Sequence, residues 1–282
     1  MTRSFFCDKS KGERMKHDEF NFRMDFEIEI LETNEKERTF SFIAKPDPRR
    51  YEWVELNGVK HLYDKLDNVY FSPEAIQSFV QQQVGLPGYF QPPKIGNADK
   101  YIESRKPIIK EALNGKGVSG ELVDKSEDFL ESLSEDQLGF VIMSIDIKGS
   151  TKLSQKIEPK EYTQLITTIL YEMSEIIPKF RGHVLKYTGD GLIAYFPEPS
   201  FITMHDLAID CALTIRGLVY EAINPLLKQE DFSEIDIRIG LDSGDAYVTT
   251  VGSPETKRHR DIIGSIVSLA AKIQSKAPPG GI

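Results

Sequence analysis

Two acidic residues stand where acids are costly. Asp146 interrupts the apolar run FVIMSIDI (residues 140–147), and Asp190 sits in T-G-D-G (188–191) between the apolar arms HVLKY and LIAYF. Burying a carboxylate in such a strand needs compensation. Two carboxylates brought close together repel unless a cation or a proton lies between them. Mg²⁺ favours oxygen ligands and commonly takes one or two carboxylates plus substrate phosphates. Just after Asp146, Gly149-Ser150-Thr151 opens a helix whose first N–H groups suit a triphosphate. Plainer readings stand beside these. An Asp-Gly turn serves conformation alone, and Asp146 could cap the helix that follows.

The surrounding elements must bring the two acids together. FVIMSIDI is nearly continuous in apolar residues, as a strand covered on both faces is. A helix is expected over about 160–180, with Leu165, Ile169, Leu170, Met173, Ile176, Ile177 and Phe180 inward and Gly182 ending it. The hairpin carrying Asp190 follows, then a helix over about 204–222. Next come two strands, IDIRIGLDSG and DAYVTTVG, and a helix from about 264 to 275. The order β-α-β-β-α-β, followed by more strand and helix, fits an α/β (α+β) sandwich of the ferredoxin-like kind. That topology can lay the first strand beside the hairpin and so pair Asp146 with Asp190.

The first half reads differently. Residues 1–20 form a charged tail, and residues 21–97 a small β-rich domain. Phe22, Met24, Phe26, Ile28 and Ile30 alternate as in a half-buried strand, TNEKER is a polar connection, and TFSFIA alternates again. YEWVEL and VKHLYD flank Asn57-Gly58, a strong hairpin signal. Ser72-Pro73 opens a helix, with serine as N-cap and proline at N1. Residues 98–137 read as a polar helical connector, and residues 138–282 as a second, denser domain. No catalytic constellation precedes residue 140, and His17 and His61 are isolated.

The net charge of −9, with no basic block, argues against a nucleic-acid or membrane-surface binder. No run is long and apolar enough to span a bilayer, and there is no signal-peptide core. The two cysteines, Cys7 and Cys211, make no disulfide framework, so a cytoplasmic location is expected.

IDIKGST, LKYTGDG, IRIGLDSG and RDIIGSIVSLAAKIQS, in this order and spacing, resemble the class III nucleotidyl cyclase catalytic domain over about residues 138–282. The resemblance implies conversion of a nucleoside triphosphate, ATP first, to its 3′,5′-cyclic monophosphate and pyrophosphate. It implies two Mg²⁺ or Mn²⁺ ions held by Asp146, Asp190 and the Ile147 carbonyl, with Gly149, Ser150 and Thr151 at the phosphates. Lys186 and Asp261 match the base-reading positions. Lysine only donates and an ionised aspartate only accepts. The pair therefore fits the acceptor and amine that adenine and cytosine share, and disfavours guanine. The resemblance also implies a homodimer with composite sites, in which one subunit supplies the metal ligands and the other the base and transition-state residues.

Two positions depart from the family's usual residues. Ser268 stands where asparagine commonly orients the ribose, and Lys272 where arginine commonly meets the α-phosphate. Lysine keeps the charge but loses the planar fork. A pyrimidine cyclase making cCMP or cUMP, as in antiphage signalling, and an inactive nucleotide-binding module are the alternatives to an adenylate cyclase. The family domain commonly continues past APPGGI, so a shortened catalytic domain is expected.

Overall fold

The computed structural model describes residues 25–34, 39–82, 95–116, 130, 137–197, 201–230, 232–253 and 258–282. The chain divides into two compact units, residues 1–90 with 199–203, and residues 91–198 with 204–282.

In the first unit, strands β1 (Phe26–Asn34) and β2 (Thr39–Pro46) pair antiparallel, with a register shift between Ile30 and Glu32. Strand β1 runs on through Thr33 and Asn34, so the connection is shorter than TNEKER. Phe22 and Met24 lie outside the described residues. Strands β3 (Tyr51–Leu56), β4 (Val59–Asp64) and β5 (Val69–Phe71) form a second antiparallel sheet. Asn57 and Gly58 both have positive φ, 52° and 78°, as the hairpin signal requires. Helix α1 (Pro73–Gln82) starts as expected, with the Ala75 amide donating to Ser72 Oγ at 3.2 Å. The apolar core here is small: Tyr51, Leu62 and Phe71, with Ile76 against them. A polar core supplements it. The buried Arg50 guanidinium meets the fully buried carboxylates of Asp25 and Asp64 at 2.8 Å each and reaches Asp67 at 2.6 Å. Sequence reading gave no hint of this cluster.

The second unit begins with α2 (Ala98–Glu111), which a single π-helical turn, Ala112–Lys116, continues. Most of the remaining expected connector lies outside the described residues. Then follow β6 (Gln137–Lys148), the short helix α3 (Ser150–Ser154), α4 (Pro159–Ile176), β7 (His183–Tyr187), β8 (Gly191–Pro197), α5 (Phe201–Gly217), α6 (Asn224–Gln229), β9 (Asp236–Gly252), β10 (Arg258–Ile263) and α7 (Ser265–Lys276). The sheet order is β10-β9-β6-β8-β7, and every pairing is antiparallel. Without β10 this is the 4-1-3-2 order of a ferredoxin-like βαββαβ unit, as expected.

Strand β6 is buried on both faces. Phe140 and Ile142 share one core with Ile193, Tyr195, Ala246, Val248, Ile262, Ile266 and Ala270, so α7 covers this face. Val141, Met143, Ile145 and Ile147 point the other way and are also buried.

Three expectations fail in detail. IDIRIGLDSG and DAYVTTVG are one continuous strand, β9, which pairs with β6 along its first part and with β10 along its last. Asp261 lies in strand β10. Helix α4 gives way to a 3-10 turn over Ile177–Phe180, and Arg181, at φ 61°, takes the left-handed cap expected of Gly182. Glycine is needed at 182 for space, because a Cβ there would lie 2.5 Å from the Phe196 ring. The helix expected over 204–222 runs from Phe201 through a π-helical turn at Leu218–Ile223 into α6. Among the described residues no helix is long and apolar enough to cross a membrane.

Candidate active site

The β6–β8 ladder ends on the pair Asp146↔Gly191, and Asp190 is the next residue along the turn. The two acids therefore occupy adjoining register positions at one end of the central strands. The turn has the form its sequence calls for. Thr188 N–H donates to the Gly191 carbonyl at 2.9 Å, and Gly189 takes φ 86°. Glycine at 191 is a matter of approach: a Cβ would lie 2.2 Å from the Ile145 carbonyl oxygen and 3.2 Å from Asp146 Cα.

Asp146 shares its strand face with Ser144, Ile142 and Phe140, the face that α7 covers. Its Oδ2 accepts from Arg238 Nη2 at 2.6 Å and from Gln274 Nε2 at 3.2 Å. Arg238 is its direct cross-strand partner on β9, and Gln274 projects from α7. That helix lies very close: a Cβ on Gly240 would fall 2.2 Å from the Ala270 carbonyl oxygen. Among the described residues, Asp146 Oδ1 has no hydrogen-bond partner, and the Asp190 carboxylate has neither a hydrogen bond nor an ion pair. Asp146 is not a helix cap. Gly149 holds the N-cap of α3, and no side chain caps that end.

Sequence reasoning missed Arg238 and Gln274, although both leave a trace. Ile266, Ala270 and Gln274 are the buried residues of α7, spaced by four. A polar residue in that stripe must find a partner. Arg238 is the lone cation in the alternating stretch IDIRIG.

The donor set fits a divalent cation. Two carboxylates, one with an unengaged oxygen, and the backbone at Ile147, one residue past the end of the β6–β8 ladder, are hard oxygen ligands. Among the described residues no group of three or more His, Cys, Asp or Glu side chains could hold a metal ion. A cation here would thus depend on the aspartates together with backbone and substrate oxygens, the usual arrangement for Mg²⁺. Gly149, Ser150 and Thr151 follow directly. Ser150 is buried and Thr151 exposed at the start of the five-residue α3.

Lys186 and Asp261 come together. Lys186 Nζ lies 2.6 Å from Asp261 Oδ2, although β7 and β10 are the two edges of a five-stranded sheet. In a flat sheet those edges would be about 19 Å apart. Strand β10 instead pairs only with the far end of β9, and its Ile262 packs with Ile193 and Tyr195 of β8. The sheet thus coils until its edges meet. Asp261 is nearly buried, and its Oδ1 accepts the Ile262 amide at 2.9 Å. The His259 ring stands beside it, with Nε2 3.8 Å from Oδ2.

Ser268 and Lys272 are exposed one turn apart on α7, and neither side chain has a hydrogen bond or ion pair among the described residues. Two exposed apolar residues, Leu269 and Ile273, stand beside them on the same helix.

The sequence profile of the adenylate and guanylate cyclase catalytic domain matches residues 134–282. The cytidylate cyclase of Escherichia coli is 30% identical over 163 residues, covering 54% of this chain and 35% of that protein. The cytidylate cyclase of Staphylococcus aureus is 25% identical over 193 residues, covering 65% of this chain and 46% of that protein. The chain thus spans less than half the length of these curated relatives. Among solved structures, the adenylyl cyclase CyaB from P. aeruginosa superposes with a TM-score of 0.48 at 27% identity, covering 52% of this chain and 76% of that one. The profile match takes in more than half of the chain, and on that ground the chain belongs to the adenylate and guanylate cyclase family.

Proposed function

We propose that this chain carries the catalytic part of a nucleotidyl cyclase for triphosphates whose base offers an acceptor beside an amine, that is, CTP or ATP. The ribose 3′-oxygen bonds to the α-phosphorus, the α–β phosphoanhydride bond breaks, pyrophosphate leaves, and the hydroxyl proton is released. The observation that carries this reading is the Lys186–Asp261 pair, a fixed donor next to a fixed acceptor at 2.6 Å.

A base edge entering between them replaces one charged hydrogen bond with two. Lys186 then donates to N1 of adenine or N3 of cytosine, and Asp261 accepts from the exocyclic amine. Guanine and uracil present the reverse edge and would leave both groups unmatched, at a cost of about 1–3 kcal/mol per unmatched group. Asp146, Asp190 and the Ile147 carbonyl would hold the divalent cations. When bound, these lower the pKa of the 3′-hydroxyl and neutralise charge on the phosphates. Gly149, Ser150 and Thr151 follow Asp146 closely in the chain, and their amides would meet phosphate oxygens. Ser268 and Lys272, exposed on α7 beside Leu269 and Ile273, would act across a homodimer interface, with Lys272 countering charge that develops at the α-phosphate.

The two relatives named cytidylate cyclases favour CTP over ATP. The test is incubation of the dimeric protein with Mn²⁺ and each of the four nucleoside triphosphates, with products resolved by mass spectrometry. cCMP or cAMP as the main product supports the edge-reading assignment. cGMP or cUMP as the main product overturns it, and no cyclic product at all would leave a nucleotide-binding module.

A further inference from the structure

Arg238 and Gln274 engage the same oxygen of Asp146 and leave the other alone. Arg238 Nη2 donates to Oδ2 at 2.6 Å and Gln274 Nε2 to the same atom at 3.2 Å. Arg238 Nη1 reaches the Ser275 carbonyl at 3.2 Å, and its Nε is buried without a partner among the described residues. The guanidinium is thus a single-point contact rather than a two-pronged fork, which is the stronger form. It also leaves one of its own donors unsatisfied, which disfavours this resting position.

Arginine cannot shed its charge. A divalent cation that uses Oδ2 must therefore share that oxygen with a fixed positive group or displace it. A cation that uses Oδ1 meets no such competitor. We propose that Arg238 is a resident cation that stands in for one of the two metal ions: it neutralises Asp146 in the metal-free protein and must leave Oδ2 before a second ion can bind tightly. This rests on the assignment of Asp146 as a metal ligand. Metal loading is then ordered. The first ion binds through Oδ1 with Arg238 in place, and the second binds weakly until the guanidinium moves. Gln274, a neutral donor on the same oxygen, orients the carboxylate without competing in charge. Arg238 is thus a positioning residue that acts through Asp146.

The experiment is Mn²⁺ titration of the whole chain without nucleotide, following the free Mn²⁺ signal by electron paramagnetic resonance. In the unaltered protein one ion is expected to bind ahead of a weaker second. Arg238→Met should tighten the second site by about two- to fivefold, the range expected from removing one partly exposed charge pair. Arg238→Lys retains the charge and should keep the second site weak, so the two substitutions separate competition from packing. Asp146→Asn should lose both ions. Thermal unfolding in metal-free buffer serves as the fold check, and Mn²⁺ should raise the midpoint of Arg238→Met by more than that of the unaltered chain. Arg238→Met with unchanged Mn²⁺ affinities, alongside loss of binding in Asp146→Asn, would overturn the stand-in role and leave the metal assignment intact. The same result follows if folded Arg238→Lys binds like Arg238→Met. Unchanged binding in Asp146→Asn would overturn the metal assignment itself, and the stand-in role with it.

Discussion

Asp261 is held by a charge on one oxygen and by its own strand on the other, so its carboxylate has little freedom to turn. Asp261→Asn would present an amide that can turn its donor outward, and the acceptor that reads an exocyclic amine would no longer be fixed. The expected result is a fall of about ten- to a hundredfold in kcat/KM for CTP or ATP, with a smaller fall for GTP, measured in parallel assays. His183 makes a second residue-scale prediction. Its ring stacks on Tyr195 at 5.1 Å between centroids, and burial pushes its pKa down from 6.5 to about 4. The unfolded chain therefore takes up this proton first as the pH falls. The stability contribution is intact above pH 6.5 and is lost as the pH drops toward 4. Denaturant unfolding at pH 7 and pH 5 should show a loss of about 1–2 kcal/mol, allowing for the solvent that reaches the ring, and His183→Gln should remove most of that difference. The aspartates and Lys186 were legible in sequence because each breaks an apolar pattern or stands in a short motif. Arg238 and Gln274 were not, because their meaning lies in the β6–β9 register and in the closeness of α7, and both are long-range properties.

At the scale of elements, a buried ion pair ties helix α2 to α4 within the second unit. Arg105 donates to Glu172 from Nε at 2.8 Å and Nη2 at 2.7 Å, and the Glu172 side chain is fully buried in α4. The Glu172 carboxylate holds the Arg105 guanidinium above its usual pKa. Glutamate in the apolar stripe of α4 is the sign that sequence offered, and its partner 67 residues earlier could not be read from it. Arg105→Ala would strand a buried carboxylate. The expected cost is about 3–5 kcal/mol by chemical denaturation, while Arg105→Ala combined with Glu172→Leu should recover much of it. Alternation or a continuous apolar run marks β3, β4 and β6 in the sequence, and all three are strands. The division of β9 into two failed for one reason. Gly244 and the polar residues near it look like a turn in sequence, yet pairing with β6 on one side and β10 beyond carries the backbone straight through. Pairing partners, not local propensity, decided those residues.

At the scale of the whole molecule, the candidate site residues of one chain fall into two sets. Asp146 and Asp190 lie at the end of the β6–β8 ladder, while Ser268 and Lys272 face outward from α7 beside Leu269 and Ile273. A face with charged and apolar residues in this mixture suits an isologous twofold interface, in which each copy completes the other's site. That arrangement predicts complementation between two inactive variants. Asp190→Asn should lack a metal ligand, and Lys272→Ala should lack the group that counters α-phosphate charge. In a mixed dimer, one of the two sites would combine the intact Asp190 of one copy with the intact Lys272 of the other. Random exchange makes half of the dimers mixed, so a one-to-one mixture should regain about a quarter of the unaltered activity. The recovered rate should rise with total protein concentration in proportion to the dimer population, read by analytical ultracentrifugation of the same samples. Separate inactivity that persists after exchange would place both residues in one protomer's site and remove the composite arrangement.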